Sequence, residues 1–174
     1  MNNYLPFMFS LDGVVRDFVK NLNFELEKRG KVNYDYAEWY LHEIEDEDCD
    51  EITSSNLFWK NLKPFDDAWY QINYFFGRNV PIYILCDSYD VEREMKWLDS
   101  WRIPYNDVIS FRGDIDSFIR SHYPSIIVDD HPDRVEYYRD MHVSGFLKRS
   151  WYNRDRRDKL PNLGDLFEIK AFDD

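Results

Sequence analysis

The chain has 174 residues, of which 44% are hydrophobic and 18% aromatic, which is too apolar for a disordered polymer and enough to form the core of one domain. Its 34 acidic residues outnumber the 22 basic ones, and the formal net charge of -12 disfavours nonspecific attraction to nucleic acid or to an anionic membrane. No apolar run approaches the roughly 20 residues that span a bilayer, and the first residues lack the basic flank and cleavage site of a signal peptide. We therefore expect a soluble, cytoplasmic protein whose partner is small, cationic or bridged by a metal.

The first half of the chain predicts one short strand followed only by helices. Residues 6–15 are typical of a buried strand that runs into a sharp turn at Asp12 and Gly13. Apolar residues then recur at helical spacing, and they predict helices over residues 15–30, 34–44, 54–62 and 64–77. The acidic run from Glu45 to Glu51 interrupts this pattern, and we expect it to form a loop or a frayed helix end.

In the second half, short apolar runs alternate with amphipathic segments. The predicted strands cover residues 80–86, 107–111, 125–128 and 143–147, and helices are predicted to begin near Val91, Pro132 and Leu163. Such alternation is typical of βαβ units, and it predicts an α/β protein with a parallel sheet.

Acidic residues follow three of the predicted strands, at Ser10–Asp12, Cys86–Ser88 and Asp129–Asp130. Because ligands of open parallel sheets bind at the carboxyl ends of strands, these side chains are expected to meet in one crevice. Like charges in a crevice require a cation or protons to neutralise them, and Mg²⁺ is the natural candidate. The alternative is that Asp and Ser at these turns only cap the helices that follow.

Three segments resemble the motifs of the haloacid dehalogenase superfamily, and within it those of the 5′(3′)-deoxyribonucleotidase-like phosphatases. The segment 10–14 (SLDGV) matches the family's Asp-x-Asp-Gly-Val with the first Asp replaced, 82–88 (IYILCDS) matches a strand ending in Thr or Ser, and 125–132 (SIIVDDHP) matches a strand ending in Asp-Asp. The resemblance implies a Rossmann-like three-layer α/β/α parallel sheet with a small helical cap inserted after the first strand. Residues 16–78 would form the cap, and residues 1–15 and 79–174 the core.

Two charged groups that the resemblance implies are missing. In such enzymes the first Asp attacks phosphorus, the second Asp protonates the leaving group, and a Lys neutralises the phosphoryl group. Here Ser10 stands at the attacking position, while Asp12 keeps the position of the acid. The expected Lys has no counterpart, since Ile115 falls near its place.

The same resemblance assigns the remaining site residues. Arg112 and Arg120 are the candidates to replace the Lys. Together with Cys86, Asp87 and Ser88, these arginines would bind a nucleotide or phosphate ligand. Asp12, through its backbone carbonyl, together with Asp129 and Asp130 would hold Mg²⁺, with an affinity weakened by the loss of a carboxylate at position 10.

These departures favour a nucleotidase-like protein that is catalytically inactive or weakened and that acts by binding a ligand or a protein. One alternative is an active Mg²⁺-dependent phosphatase or 5′-nucleotidase that acts on nucleoside or deoxynucleoside monophosphates. Another is an acidic interaction protein that binds a basic partner surface.

The two cysteines and one histidine have simpler expected roles. Cys49 and Cys86 are predicted to be free thiols, because their number and placement do not form a disulfide framework. Cys86 is expected to be a small buried core residue and not a nucleophile. His131 precedes Pro132 and is predicted to cap the helix that begins there.

Overall fold

The structure, a computed structural model, describes residues 5–31, 47–88, 90–110, 115–150, 153 and 160–162. Its centre is a five-stranded parallel sheet with the strand order β3-β2-β1-β4-β5. The strands are β1 (Phe7–Ser10), β2 (Ile82–Cys86), β3 (Asp107–Ser110), β4 (Ile126–Asp129) and β5 (Ser144–Leu147). The predicted α/β class and parallel sheet are confirmed.

Helices cover both faces of this sheet, because successive strand residues point to opposite sides. Phe9, Ile84 and Val128 face one layer of helices and share a core with Leu98 of α5 (Val91–Ser100). The neighbouring strand residues Met8, Leu85 and Ile127 form a second core with α6 (Ile115–His122) and α7 (Pro132–Asp140) on the opposite face. The three-layer α/β/α arrangement follows from these two cores.

In the described residues, four helices lie between β1 and β2. They are α1 (Phe18–Lys28), α2 (Glu47–Ser54), α3 (Asn56–Asn61) and α4 (Asp66–Phe76). The segment that follows β1 and the segment that precedes α4 lie side by side, since Phe65 N donates to Val15 O at 2.9 Å and Asp17 N donates to Lys63 O at 3.1 Å. Helices are therefore inserted after the first strand, as predicted. Buried residues of the insertion, such as Leu22 and Ile72, belong to the same core cluster as Phe9 and Ile84 of the sheet.

The prediction for the acidic run was wrong over residues 47–51. These residues form the first turns of α2, because Cys49 and Ile52 are buried against the core and anchor the helix, while Asp50 and Glu51 are exposed. The predicted helix over 34–44 and the predicted helix near Leu163 lie outside the described part of the chain. Within that part, no helix is long and apolar enough to cross a membrane.

Candidate functional site at the carboxyl edge of the sheet

The tips of β1 and β4 bring Ser10 and Asp129 together, as the parallel topology requires. Phe9 is in register with Val128, so the next residue of each strand lies at the carboxyl edge. Ser10 Oγ donates a hydrogen bond to Asp129 Oδ2 at 2.8 Å, and both side chains are buried. After Ser10 the chain turns sharply through Gly13, whose φ of 79° lies in the left-handed region that glycine tolerates.

The Asp129 carboxylate is surrounded by donors from the protein itself. Besides Ser10, Tyr138 Oη donates to Oδ2 at 3.3 Å, and the backbone N of His131 donates to Oδ1 at 2.8 Å. The guanidinium of Arg134 lies 3.6 Å from Oδ2. Asp129 itself has no exposed surface, so its negative charge is balanced entirely by these neighbours.

The two α7 residues that face Asp129 have shifted pKa values with clear causes. Burial, and after it the charge of Asp129, raises the pKa of Tyr138, so the phenol keeps the proton that it donates. Burial lowers the pKa of Arg134, but the nearby carboxylates of Asp129 and Asp130 raise it by more, and the net shift is upward. Arg134 therefore stays cationic beside Asp129.

The carboxylate of Asp12 is bound by Arg16, four residues further along the chain. Arg16 Nε donates to Asp12 Oδ1 and Nη2 donates to Oδ2 at 3.0 Å, so that both oxygens of the carboxylate accept from one guanidinium. The side chain of Arg16 is only 1% exposed, whereas that of Asp12 is 37% exposed. The position that the family resemblance assigns to the general acid is thus occupied by a carboxylate in a bidentate ion pair.

A second carboxylate, Glu94, completes the environment of Arg16. Glu94 is fully buried; its Oε2 accepts from Arg16 Nη1, and its Oε1 accepts from Arg93 Nη2 at 2.6 Å. Burial lowers the pKa of Arg16, but Asp12 and Glu94 raise it by more, which keeps the guanidinium charged. Trp59 of α3 contacts both arginines, with the guanidinium carbons 4.7 Å (Arg16) and 3.9 Å (Arg93) from the ring centre.

β2 ends at Cys86 near the same edge, and the thiol of Cys86 is not suited to act as a nucleophile. Cys86 is 1% exposed, and burial raises the pKa of its thiol, which opposes formation of a thiolate. The prediction that Cys86 is a buried core residue is confirmed. Ser88 Oγ accepts from Arg93 Nη2 at 3.0 Å and thereby links the segment after β2 to the Arg16 cluster. Asp87 is half-buried beside Ser88.

Two further predictions concern caps and thiols. The side chain of His131 accepts from Asp133 N at 3.2 Å and caps α7, as predicted. Cys49 and Cys86 are both buried, and no disulfide joins them. Asn153, the one described residue of the segment 151–153, donates to the carbonyl oxygens of Asp130 and Lys148 at 3.0 and 2.9 Å.

Of the two predicted replacements for the Lys, the structure describes one. Arg120 is exposed on α6, and Arg112 lies outside the described residues. The cation beside Asp129 is instead Arg134, which the sequence argument did not single out. A signal for it was present, since Arg134 lies on the first turn of a helix that begins directly after Asp129–Asp130.

A Mg²⁺ site does not fit the side chains as they stand. Both Asp12 oxygens are paired with Arg16, and Asp129 accepts from Ser10, Tyr138 and the His131 amide. Across the described ranges, no group of three or more His, Cys, Asp or Glu side chains is placed to hold a metal ion. Mg²⁺ is usually held by one or two carboxylates together with waters and carbonyl oxygens, and the carboxylates of Asp12 and Asp129 are already engaged by donors.

Comparison with known proteins identifies the fold. No family model and no curated protein matches the chain. A hydrolase from Streptococcus pneumoniae TIGR4 matches with a TM-score of 0.61 and 12% identity over 97% of this chain and 99% of that one. A HAD family hydrolase from Deinococcus radiodurans R1, with bound phosphate and sodium, has a TM-score of 0.61 and 12% identity over 97% and 95%.

A HAD-superfamily hydrolase from Ehrlichia chaffeensis has a TM-score of 0.56 and 11% identity over 97% of this chain and 96% of that one. At these identities the likeness concerns the backbone. The chain therefore has the fold of haloacid dehalogenase-type hydrolases, a five-stranded parallel α/β sheet with helices inserted after β1.

Proposed function

We propose that this protein is a nucleotidase-like relative of the haloacid dehalogenase-type phosphatases that has lost most or all of its catalysis and acts by binding a ligand. The observation that carries the proposal is the hydrogen bond from Ser10 to Asp129. The residue at the attacking position, Ser10, has a neutral hydroxyl that donates its hydrogen to a buried carboxylate. Position 10 therefore provides no carboxylate to accept a phosphoryl group.

Ser10 is also a poor substitute nucleophile. A serine hydroxyl needs an adjacent base, and Asp129, the carboxylate that accepts its hydrogen bond, also accepts from Tyr138 and the His131 amide, with Arg134 nearby. Ser10 therefore shares its acceptor with other donors of the protein, and no base is dedicated to its hydroxyl among the contacts of this carboxylate. A phosphate ester on serine would then resist hydrolysis far more than an acyl phosphate does.

The protonation step is impaired as well. General acid catalysis requires a group that can present a proton to the leaving oxygen. Both oxygens of Asp12 accept from Arg16, and Arg16 is held from behind by the buried Glu94. Asp12 is thus kept as an acceptor, and releasing it would leave the guanidinium of Arg16 with a missing partner inside the core.

Substrate class is proposed from the motifs and the insertion together. The segments 10–14, 82–88 and 125–132 resemble those of the deoxyribonucleotidase branch, and Arg134 offers a cation at the edge where a phosphoryl group would lie. We therefore assign a nucleoside monophosphate or inorganic phosphate as the ligand to test. Asp87 and Ser88 lie on the loop that would line this ligand.

A phosphatase assay on the natural protein, Ser10→Asp and Ser10→Asn tests the proposal. With p-nitrophenyl phosphate and deoxynucleoside monophosphates, in the presence of Mg²⁺, we expect no turnover by the natural protein and by Ser10→Asn, and measurable turnover by Ser10→Asp. The Asn variant matches Asp in size but lacks its charge, so it controls for packing. Turnover by the natural protein at ordinary rates, about 1 to 10³ per second, would overturn the proposal.

One observation favours a second candidate, a working phosphatase. Arg134 beside Asp129 supplies a positive charge at the site where the family places one, which the sequence argument considered lost. In that case any activity of the natural protein would depend on Asp129 and Arg134. If Asp129→Asn and Arg134→Met left the activity unchanged, this candidate would be excluded.

A further inference from the structure

We infer that Asp129 is neutralised by the protein's own donors in place of a divalent cation, so that this site holds its charge without metal. The inference rests on the proposed function, because it concerns the same crevice. It goes further by specifying that Ser10, Tyr138, the His131 amide and Arg134 do together what Mg²⁺ does at a site with an additional carboxylate.

Both oxygens of the Asp129 carboxylate already accept hydrogen bonds from the protein. Oδ2 of Asp129 accepts from Ser10 at 2.8 Å and from Tyr138 at 3.3 Å, and Oδ1 accepts from His131 N at 2.8 Å. A hydroxyl points its hydrogen at the carboxylate, so the space that a cation would occupy next to Oδ2 contains protons instead. A metal could bind there only after Ser10 and Tyr138 had turned away.

The Asp129 carboxylate and the two hydroxyl groups that donate to it are buried. Asp129 has no exposed surface, and Ser10 and Tyr138 are 3% and 2% exposed. An ionised carboxylate in such a place is costly unless it is paired and hydrogen-bonded. Here the pairing comes from the protein itself, because Arg134 contributes a positive charge 3.6 Å from Oδ2.

The residue at position 10 also sets the number of negative charges beside Asp129. A carboxylate at position 10 would lie next to Asp129, and two carboxylates at that distance require a cation or a shared proton between them. With Ser10 the site has one anionic group fewer, and a hydroxyl proton plus Arg134 are sufficient. The same substitution that removes the phosphoryl acceptor therefore also removes the electrostatic requirement for metal.

Thermal melting in EDTA and in about 10 mM Mg²⁺ tests the inference, because a ligand that binds only the folded state raises the melting temperature. We expect the natural protein and Asp129→Asn to respond equally to Mg²⁺, which shows that Asp129 takes no part in metal binding. We expect Ser10→Asp to melt lower in EDTA and to recover by roughly 5 °C or more in saturating Mg²⁺. Ser10→Asn serves as the uncharged control and should not recover.

Two results would overturn the inference. One is a Mg²⁺ shift of the natural protein that Asp129→Asn abolishes, and the other is a folded Ser10→Asp protein that does not respond to Mg²⁺. If Ser10→Asp does not fold, the paramagnetic resonance of Mn²⁺ titrated into the natural protein and into Asp129→Asn decides the question, since a site at Asp129 would bind the ion only in the former. Metal binding without turnover would contradict this inference alone, and turnover without a metal response would contradict the proposed function alone.

Discussion

The buried carboxylate of Glu94, on α5, accepts a hydrogen bond from the buried guanidinium of Arg16, which lies 78 residues earlier in the turn after β1. This pair connects the first strand's loop to the helix that follows β2. Trp59 of the inserted helices rests against Arg16, so the three segments meet at one charged group. Arg16 therefore fixes the carboxyl edge of the sheet and the inserted helices in one arrangement.

Removal of Arg16 should strongly destabilise the protein. Arg16→Met leaves the buried Glu94 without one of its two cationic partners, and we expect a loss of about 3 to 5 kcal/mol in the free energy of unfolding, measured by urea denaturation. Combining Arg16→Met with Glu94→Gln removes both charges and should cost less than the sum of the single variants. Lys28→Met is the control, because the ion pair of Lys28 with Glu25 is exposed, at 52% and 38%, and should contribute about 1 kcal/mol or less. Additive costs would show that Arg16 and Glu94 are not coupled.

The hydrogen bond from Ser10 to Asp129 should be measurable as stability. Ser10→Ala removes a buried donor to a charged acceptor, and we expect the unfolding free energy to fall by about 1.5 to 3 kcal/mol. Tyr138→Phe removes the longer bond at 3.3 Å and should have a smaller effect. Ser121→Ala serves as the control, because its hydroxyl bonds a helix carbonyl at an exposed position, and it should change stability by less than about 0.5 kcal/mol. Equal effects at positions 10 and 121 would contradict the assigned role of Ser10.

Packing of α7 on β5 allows no side chain at Gly145. A Cβ built on Gly145 would lie 2.7 Å from Val135 O and 3.1 Å from its Cγ1, so α7 and β5 would have to separate. We expect Gly145→Ala to cost about 1 to 3 kcal/mol. Gly77→Ala is the control, because the closest atom would be 3.3 Å away and its φ of -63° suits any residue. A melting temperature of Gly145→Ala equal to that of Gly77→Ala would contradict this account.

Burial of Cys86 predicts slow reaction with thiol reagents and a defined pH dependence. We expect iodoacetamide to label Cys86 in the unfolded protein and not in the native one, as measured by mass spectrometry of the alkylated peptide. Because burial raises the pKa of the folded thiol, the folded state binds the proton more tightly than the unfolded one. The contribution of the thiol to stability is therefore full below the unfolded pKa of about 8.5 and is lost as the pH rises toward the folded pKa. Cys86→Ala should remove this decline at alkaline pH.

Local patterns in the sequence were sufficient for the sheet and for the meeting of Ser10 with Asp129. Short apolar runs define the strands, and parallel strands place their carboxyl ends at one edge, so residues that end β1 and β4 must approach each other. The acidic first turns of α2 were mispredicted because the charges outnumber the two buried residues, Cys49 and Ile52, that hold that helix.

The Arg16–Glu94 pair could not be predicted, because its partners are 78 positions apart and nothing local marks them as neighbours. Arg16 alone carried a weak signal, as a charged residue inside an apolar stretch four positions after Asp12. Arg134 was missed for a related reason, since an Arg on a helix is commonly a solvated surface residue until the tertiary structure places a carboxylate beside it.

Restoring both carboxylate functions of the first motif should require changes at two places, because Ser10 offers no phosphoryl acceptor and Asp12 is paired with Arg16. Ser10→Asp returns a phosphoryl acceptor but leaves Asp12 bound to Arg16. Adding Arg16→Met and Glu94→Gln together frees Asp12 without leaving a buried unpaired charge. Since general acid catalysis typically contributes about 10² to 10⁴-fold, we expect the triple variant to exceed Ser10→Asp in turnover of substrates with poor leaving groups, such as nucleoside monophosphates. With p-nitrophenyl phosphate, whose leaving group needs no proton, the two should be similar. Equal rates on both substrates would show that Arg16 does not restrain Asp12 in catalysis.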